Sequence, residues 1–520
     1  MKKNSKNSIL STFPWHVILC SIYSSLALWA YNVGQIGHIS TYRAIFTSLL
    51  GGVFLLVVLW LWLRDPMRAG IAATLLLIYF SSYGHVYSYI KNAELFSVMI
   101  GRHRFLALFF LILSILSVWW SARKLESPAG VHSMLNVTMT LLLIFPIYSL
   151  SSYYYSDWLV SKEQTREVDS ATRAVSGVVL PLGEPPDIYY IILDGYGRSN
   201  TLLRELNLDN SVFLTDLRNI GFYIAECSQS NYGMTALSLS SSLNMNYLPV
   251  LGDEFTPDNT DRYSPLWQLI KNSAVESTFE QMGYQMVAFE TGYDWTEFRD
   301  AEYFFQAPQR GLSGFESLLL RDSAAVILDD FGIFDPFHLT PEDQKRNQVL
   351  YVLDEMKKVT EVPGPKFVFI HLVVPHQPFV FGPNGEPFVV AQRTLNSDEY
   401  YSPDDYLLGY GNQVKFISKE IPELMALLVQ KSSAPPVIVI QGDHGPAHLE
   451  KDNRMAILNA IYFPHEQNIL YSTITPVNTF RLIFNTFFEG NLDLLPDVSY
   501  YSTYARPYDF ETIPNTCASP

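Results

Sequence analysis

The sequence predicts a two-part protein: a bundle of five membrane-spanning helices, then an α/β domain whose mostly parallel sheet carries helices on both faces. Three observations predict it. The charge is divided unevenly, with 11 Lys+Arg against 4 Asp+Glu in residues 1–160 and 24 against 47 in the remaining 360, net +7 and −23. Five early stretches contain no Asp, Glu, Lys or Arg and are about as long as the roughly 20 residues a bilayer requires. Farther along, short apolar runs alternate with helical patterns, the signature of a parallel sheet covered on both sides.

The five stretches are Trp15–Gly34, Ala44–Leu63, Ala69–Ile90, Phe105–Ala122 and Met134–Tyr155. A helix satisfies its own backbone and can therefore cross hydrocarbon. Orientation follows from the basic residues of the short loops. Lys2, Lys3, Lys6, Arg64, Arg68, Arg123 and Lys124 belong on the cytoplasmic side, against Arg43, Lys91, Arg102 and Arg104 on the other. An odd number of spans then puts everything after Tyr155 outside, as a multi-pass protein of the cytoplasmic membrane with an extracytoplasmic C-terminal domain. The expected division is 1–155 for the bundle, 156–185 for a polar juxtamembrane linker ending at Pro181, Pro185 and Pro186, and 186–515 for the outer domain.

The composition excludes other classes. Of the 520 residues, 48% are hydrophobic and only 17% charged, too oily for a disordered chain, and the net charge of −16 opposes nucleic-acid binding. Three cysteines (Cys20, Cys227, Cys517) are too few for a disulfide scaffold, although Cys227 and Cys517 could pair outside the cell.

In the outer domain, strands are expected at Ile188–Asp194, Tyr284–Glu290, Lys366–Val373 and Val437–Asp443. Helices are expected near 199–220, 263–282, 313–329, 341–358 and 404–430. The long connection 374–403 contains a Gly382–Pro383–Asn384–Gly385 turn and predicts a flap or hairpin. Ligands of open parallel sheets bind beyond the carboxyl ends of the strands. Those ends carry Asp194, Glu290, His376 and Asp443–His444. Singly each has a plain reading: a turn aspartate, a structural or substrate-facing glutamate, a core histidine at His371. Their convergence on one edge predicts a site for a divalent cation. His448, four residues after His444, is a further candidate ligand. Ser230–Tyr247 supplies a tight turn at Gly233 followed by Thr235 at the start of an apolar helical run, where a hydroxyl nucleophile and free N–H groups coincide.

The order LDG, N-Y-x-x-T-x-x-S, H-x-x-x-x-H-x-P and DHG resembles the alkaline phosphatase/sulfatase superfamily over roughly residues 186–490. Membrane spans ahead of such a domain resemble lipoteichoic acid synthases and phosphoethanolamine transferases. The resemblance implies that Asp194, Thr235, Asp443 and His444 bind one divalent cation (manganese, magnesium or zinc) and that Thr235 is the nucleophile. It implies that His376, with His371, meets the phosphate or leaving group. Tyr293 and Trp295, following Glu290, would line a headgroup pocket. Arg454 follows the DHG element where related transferases carry ligands of a second metal; a second cation stays open, and Arg454 reads as a fixed cation for phosphate. The implied partners are a membrane lipid or lipid-linked donor and an envelope acceptor. Cys227 lacks the C/S-x-P-x-R context from which sulfatases make formylglycine. A phosphodiester is therefore the expected substrate, with a soluble phosphate or sulfate ester, or a metal-stabilised scaffold without turnover, as alternatives.

Overall fold

The computed structural model describes residues 13–33, 38–91, 93–95, 98–99, 101–175, 177–181, 183–257, 262–308, 311–331, 340–388, 401–464 and 466–517. The chain forms two compact units, residues 1–156 with 310–344, and residues 157–309 with 345–520.

The first unit is built on α1 (Trp15–Tyr31), α2 (His38–Leu63), α3 (Pro66–Ile90), α4 (His103–Arg123) and α5 (Pro128–Ala174). Among the described residues, four segments are long and apolar enough to cross a membrane: Thr41–Leu63, Pro66–Ile90, His103–Arg123 and Pro128–Ser156. α1 is apolar but has 17 residues, shorter than the predicted span; three of the residues that would extend it, 35–37, lie outside the described set along with Gly34. α3 starts at Asp65, whose carboxylate accepts from the N–H groups of Met67 and Arg68, with Pro66 at the first helical position. Large apolar side chains such as Phe54, Trp62, Ile115 and Phe145 are exposed. Water would penalise such a surface; lipid tails do not.

The sequence reading assigns 313–329 to the outer domain, yet 310–344 belongs to the first unit. Its helices Gly314–Arg321 and Val326–Asp330 pack on the bundle: Phe315 joins Trp29, Ala44 and Leu150, and Val326 joins Tyr83 and Leu106. Backbone bonds run from Ala324 N–H to the Phe80 carbonyl (2.7 Å) and from Gly84 N–H to the Asp322 carbonyl (3.1 Å). A Cβ at Gly84 would stand 2.0 Å from the Arg321 carbonyl oxygen, so only glycine permits this approach.

The second unit holds a seven-stranded sheet. Its strands are β1 (Ile188–Leu193), β2 (Tyr223–Ile224), β3 (Gln285–Phe289), β4 (Tyr303–Phe305), β5 (Lys366–Leu372), β6 (Val437–Gln441) and β7 (Asn459–Tyr462), in the spatial order β2-β7-β6-β1-β5-β3-β4. β1 pairs parallel with β5 and β6, and β3 parallel with β4 and β5; β7 runs antiparallel to β6 and β2. The four predicted strands are β1, β3, β5 and β6, and the weaker β2, β4 and β7 extend them. β1 is buried throughout because alternate residues enter two cores. Tyr189, Ile191 and Leu193 pack with Val368 and Ile370, while Ile188, Tyr190 and Ile192 pack with Phe367 and Phe369. The predicted helices at 199–220 and 263–282 are each two short helices, Ser199–Leu206 with Ser211–Ile220 and Ser264–Lys271 with Ala274–Gln281. The turn at 382–385 closes a small hairpin through Gly382 N–H to the Glu386 carbonyl, 2.7 Å. Residues 389–400 of that connection lie outside the described set. Cys227 and Cys517 form a disulfide across 290 residues.

Candidate active site

Asp194, one residue beyond β1, is 3% exposed, and the next residue turns the chain with Gly195 at φ +75°. That left-handed turn aims the Gly195 N–H at Asp443 Oδ1, 2.9 Å away, joining the ends of β1 and β6. Tyr410 secures the turn by donating its hydroxyl to the Gly195 carbonyl at 2.9 Å.

Three ligand atoms of Asp194, His376 and His444 lie within 4.8 Å of one another, a group able to hold a metal ion. Each imidazole has its Nδ1 beside a carbonyl: His444 at 2.8 Å from Gly445 O, His376 at 2.7 Å from Gln377 O. An Nδ1–H donating there leaves Nε2 with the lone pair, the state a cation requires. His444 Nε2 stands 3.7 Å from Asp194 Oδ1, 3.5 Å from Asp443 Oδ2 and 3.3 Å from Thr235 Oγ1. Both of those carboxylate oxygens are buried without a hydrogen-bond partner. Buried acceptors left bare are costly. Two of them beside an imidazole lone pair fit a divalent cation.

Thr235 opens the helix Thr235–Leu243, whose ladder begins with Ser238 N–H to the Met234 carbonyl and leaves the first-turn N–H groups unused by the helix. The remaining hydroxyls of this helix are occupied with structure. Ser238 meets Ser230 Oγ at 3.1 Å, and Ser240 donates to the Leu266 carbonyl at 2.9 Å. Arg454 donates to the carbonyls of Gly233 (2.8 Å) and Ala447 (3.1 Å), so it ties the Thr235 loop to the DHG loop.

His371 lies within β5, fully buried, with Nε2 3.2 Å from Asp194 Oδ2 and Nδ1 3.4 Å from Thr296 Oγ1. It orients Asp194 from behind, leaving the other carboxylate oxygen for the site. Burial alone would raise the Asp194 carboxyl, but His376, His371 and His444 together bring it well below the usual carboxylate range. Burial lowers the His376 imidazole, against the pull of Asp194. Tyr293 is near enough to Asp194 and Asp443 for their charges to add to burial in raising its phenol. Trp295 packs against Tyr293, ring centroids 5.7 Å apart. Glu290 accepts from Ala307 N–H (3.0 Å) and Gln306 (3.4 Å), anchoring the chain after β4. His448 is exposed and rests on the Tyr406 ring, apart from the cluster.

Sequence reasoning missed Ser230, which bonds the Asp443 carbonyl and the Tyr232 carbonyl, and so binds the two loops together. It also missed Gln413 and Lys345, which both hold the His376 carbonyl, at 3.1 and 2.8 Å. Lone polar residues in helices give no signal of such roles.

No protein-family model matches the chain, and no curated protein sequence is significantly similar to it. Among solved structures, the periplasmic domain of EptC from Escherichia coli aligns at 14% identity and TM-score 0.40, covering 65% of this chain and 94% of that one. The integral membrane lipooligosaccharide phosphoethanolamine transferase EptA from Neisseria meningitidis aligns at 12% identity and TM-score 0.35, covering 88% and 89%. A 2-O glycosaminoglycan sulfatase, BT1596, aligns at 12% identity and TM-score 0.39, covering 60% and 72%.

Proposed function

We propose that the protein is a membrane-anchored, divalent-metal-dependent enzyme that transfers or hydrolyses a phosphodiester headgroup outside the cytoplasmic membrane, with Thr235 as nucleophile. One observation carries this reading: two bare, buried carboxylate oxygens and an imidazole lone pair converge beside the only hydroxyl at the exposed end of a helix N-terminus. Asp194, Asp443, His444 and Thr235 would hold the cation. When bound, the cation supplies Lewis-acid stabilisation of negative charge on oxygen.

The chain's own residues supply the rest. Thr235 Oγ1 attacks phosphorus, giving up its proton as the bond to the leaving group breaks; the leaving oxygen gains one. The first-turn N–H groups of the Thr235 helix donate to the phosphoryl oxygens. His376 faces the same point and meets the phosphate or leaving group. Water or an acceptor hydroxyl then attacks phosphorus and releases Thr235. The disulfide supports an oxidising, extracytoplasmic setting for the second unit. It also occupies Cys227, which removes the cysteine nearest the nucleophile from any formylglycine chemistry. A lipid donor and an envelope acceptor suit the membrane anchor, which confines both to one surface.

The test is intact-mass analysis after incubation of the full chain with native membranes. A phosphate-linked adduct should map to the peptide containing Thr235 and be absent from Thr235→Val. An adduct that persists in Thr235→Val would reassign the nucleophile. A soluble phosphomonoester or sulfate ester turned over as well without lipid would favour the alternative hydrolase.

A further inference from the structure

Four basic residues run against the charge asymmetry of the bundle loops: Arg43, Lys91, Arg102 and Arg104. Arg43 is accounted for inside the protein, since its guanidinium makes a two-pronged pair with Glu316 and donates to the Gly311 carbonyl. The other three stand at the neighbouring ends of α3 and α4, with Lys91 directly after α3 and Arg102 and Arg104 on either side of His103 at the start of α4. Both arginines are exposed.

Between α2, α3 and α4 lies an open groove of about 460 Å³, walled by Gly51, Leu55, Phe110, Ala324 and Ile327 and reaching Tyr83. That size falls in the range of about 300–1,000 Å³ usual for small-ligand sites. The walls are almost wholly apolar and belong to helices able to cross a membrane, so the medium at its mouth is hydrocarbon. Gly51 shows that the space is real: a Cβ added there meets no atom within 4 Å, whereas one added at the adjacent Gly52 would strike Ser21 at 1.7 Å.

The groove is coupled to the basic end through one side chain. Tyr83 lines it and bonds His103 Nδ1 at 2.9 Å; His103 Nε2 meets Asp330 at 2.7 Å, and its ring stacks on Tyr87 with centroids 3.9 Å apart. His103 is thereby fixed at the groove's end, with Arg102 and Arg104 beside it in the chain. An apolar slot ending at clustered cations matches a phospholipid in both of its parts.

We propose that this groove binds one acyl chain of a glycerophospholipid whose phosphate lies against Arg102, Arg104 and Lys91. Each basic group near a membrane surface contributes about 1 kcal/mol toward an anionic lipid, roughly fivefold in affinity. The site is separate from the chemistry at Thr235 and stands or falls by binding alone.

The experiment uses the full chain in vesicles of phosphatidylcholine and phosphatidylglycerol containing a trace of phosphatidylglycerol with a photoactivatable acyl chain. Adducts are mapped by peptide mass spectrometry. Labelling should concentrate on peptides bearing Gly51–Leu55 and Phe110–Leu111 over the exposed stretch Leu141–Tyr148. Gly51→Phe, which fills the slot and removes a helix-interior glycine, should erase that enrichment while the protein remains monodisperse. Arg102→Gln with Arg104→Gln should lower the labelling about fivefold for each arginine removed, and leave a chain-matched photoactivatable diacylglycerol unaffected. Even labelling over all lipid-facing helices, or unchanged enrichment in Gly51→Phe, would overturn the groove. Equal loss for diacylglycerol would overturn the phosphate contact. Occupancy that rises with protein-to-lipid ratio in place of lipid labelling would mean that a second copy fills the slot, and would also overturn the proposal.

Discussion

The same two strands, β1 and β5, end in buried charge at both edges of the sheet, and the two ends are built oppositely. At the amino ends, Asp187 takes the Lys366 ammonium on one oxygen and the Lys366 N–H on the other at 3.2 Å, while the ammonium also donates to the Val362 carbonyl at 3.1 Å. Both oxygens are used. At the carboxyl ends, Asp194 gives one oxygen to His371 and keeps the other bare, as Asp443 does across from it. A buried carboxylate that the protein itself satisfies is part of the fold. One left half-satisfied among imidazoles is waiting for a ligand.

Substitution at the bare end should have the largest effect on function. Asp194→Asn and Asp443→Asn each remove a charge that the cation needs, and second-shell changes alone cost about 10–100-fold in metal affinity. Loss beyond that range, with turnover abolished, is expected by elemental analysis and activity assay. Chelation should lower the melting temperature of the wild type and leave either variant unmoved, because only a protein that binds the ion gains stability from it. Stoichiometric metal in both variants would erase the contrast between the two edges.

At the saturated end the largest effect should be on stability instead. Asp187→Ala strands the Lys366 ammonium, and breaking such a buried pair costs about 3–5 kcal/mol. Denaturant titration should register it, with metal stoichiometry retained in the protein that remains folded. His376→Ala sharpens the assignment of the bare end: kept metal with lost turnover makes it a substrate contact, whereas lost metal adds it to the ligand set.

The strand-end chemistry was legible because a buried parallel strand writes itself as a continuous apolar run, so the residue that ends it is visible: Asp194 after IYYIIL, Asp443 after VIVIQ. Facing was not. Alternation shows that His371 shares a side with Phe369, but nothing local shows that Asp194 reaches back to it. The pairing of Cys227 with Cys517, 290 residues apart, needed the fold. Residues 313–329 read correctly as helical, yet their apolar side suits the bundle as well as the sheet, and only packing of Phe315 and Val326 decides it. β7 escaped notice because its four residues, NAIY, offer too short a pattern to distinguish from a loop.

Glu276 gives the smallest expected effect and a third kind of buried carboxylate. One of its oxygens is also bare, but its neighbours are acidic and no imidazole is near. Burial, reinforced by Asp300 and Glu280, pushes its carboxyl up to about 8. Proton uptake, not a cation, is the relief available to it. In the unfolded chain the same group titrates near 4.5, so between the two values the folded state binds more protons. Its contribution to stability is therefore complete below the unfolded pKa and is lost as pH rises through the folded one. Glu276→Gln removes the ionisation while keeping the shape. Melting temperatures of variant and wild type should coincide at pH 5 and separate toward pH 9, with the variant higher and turnover unchanged. A gap that stays constant across that window would mean that Glu276 is ionised at every pH tested, and that a bare buried carboxylate here signals no more than it does elsewhere on the surface.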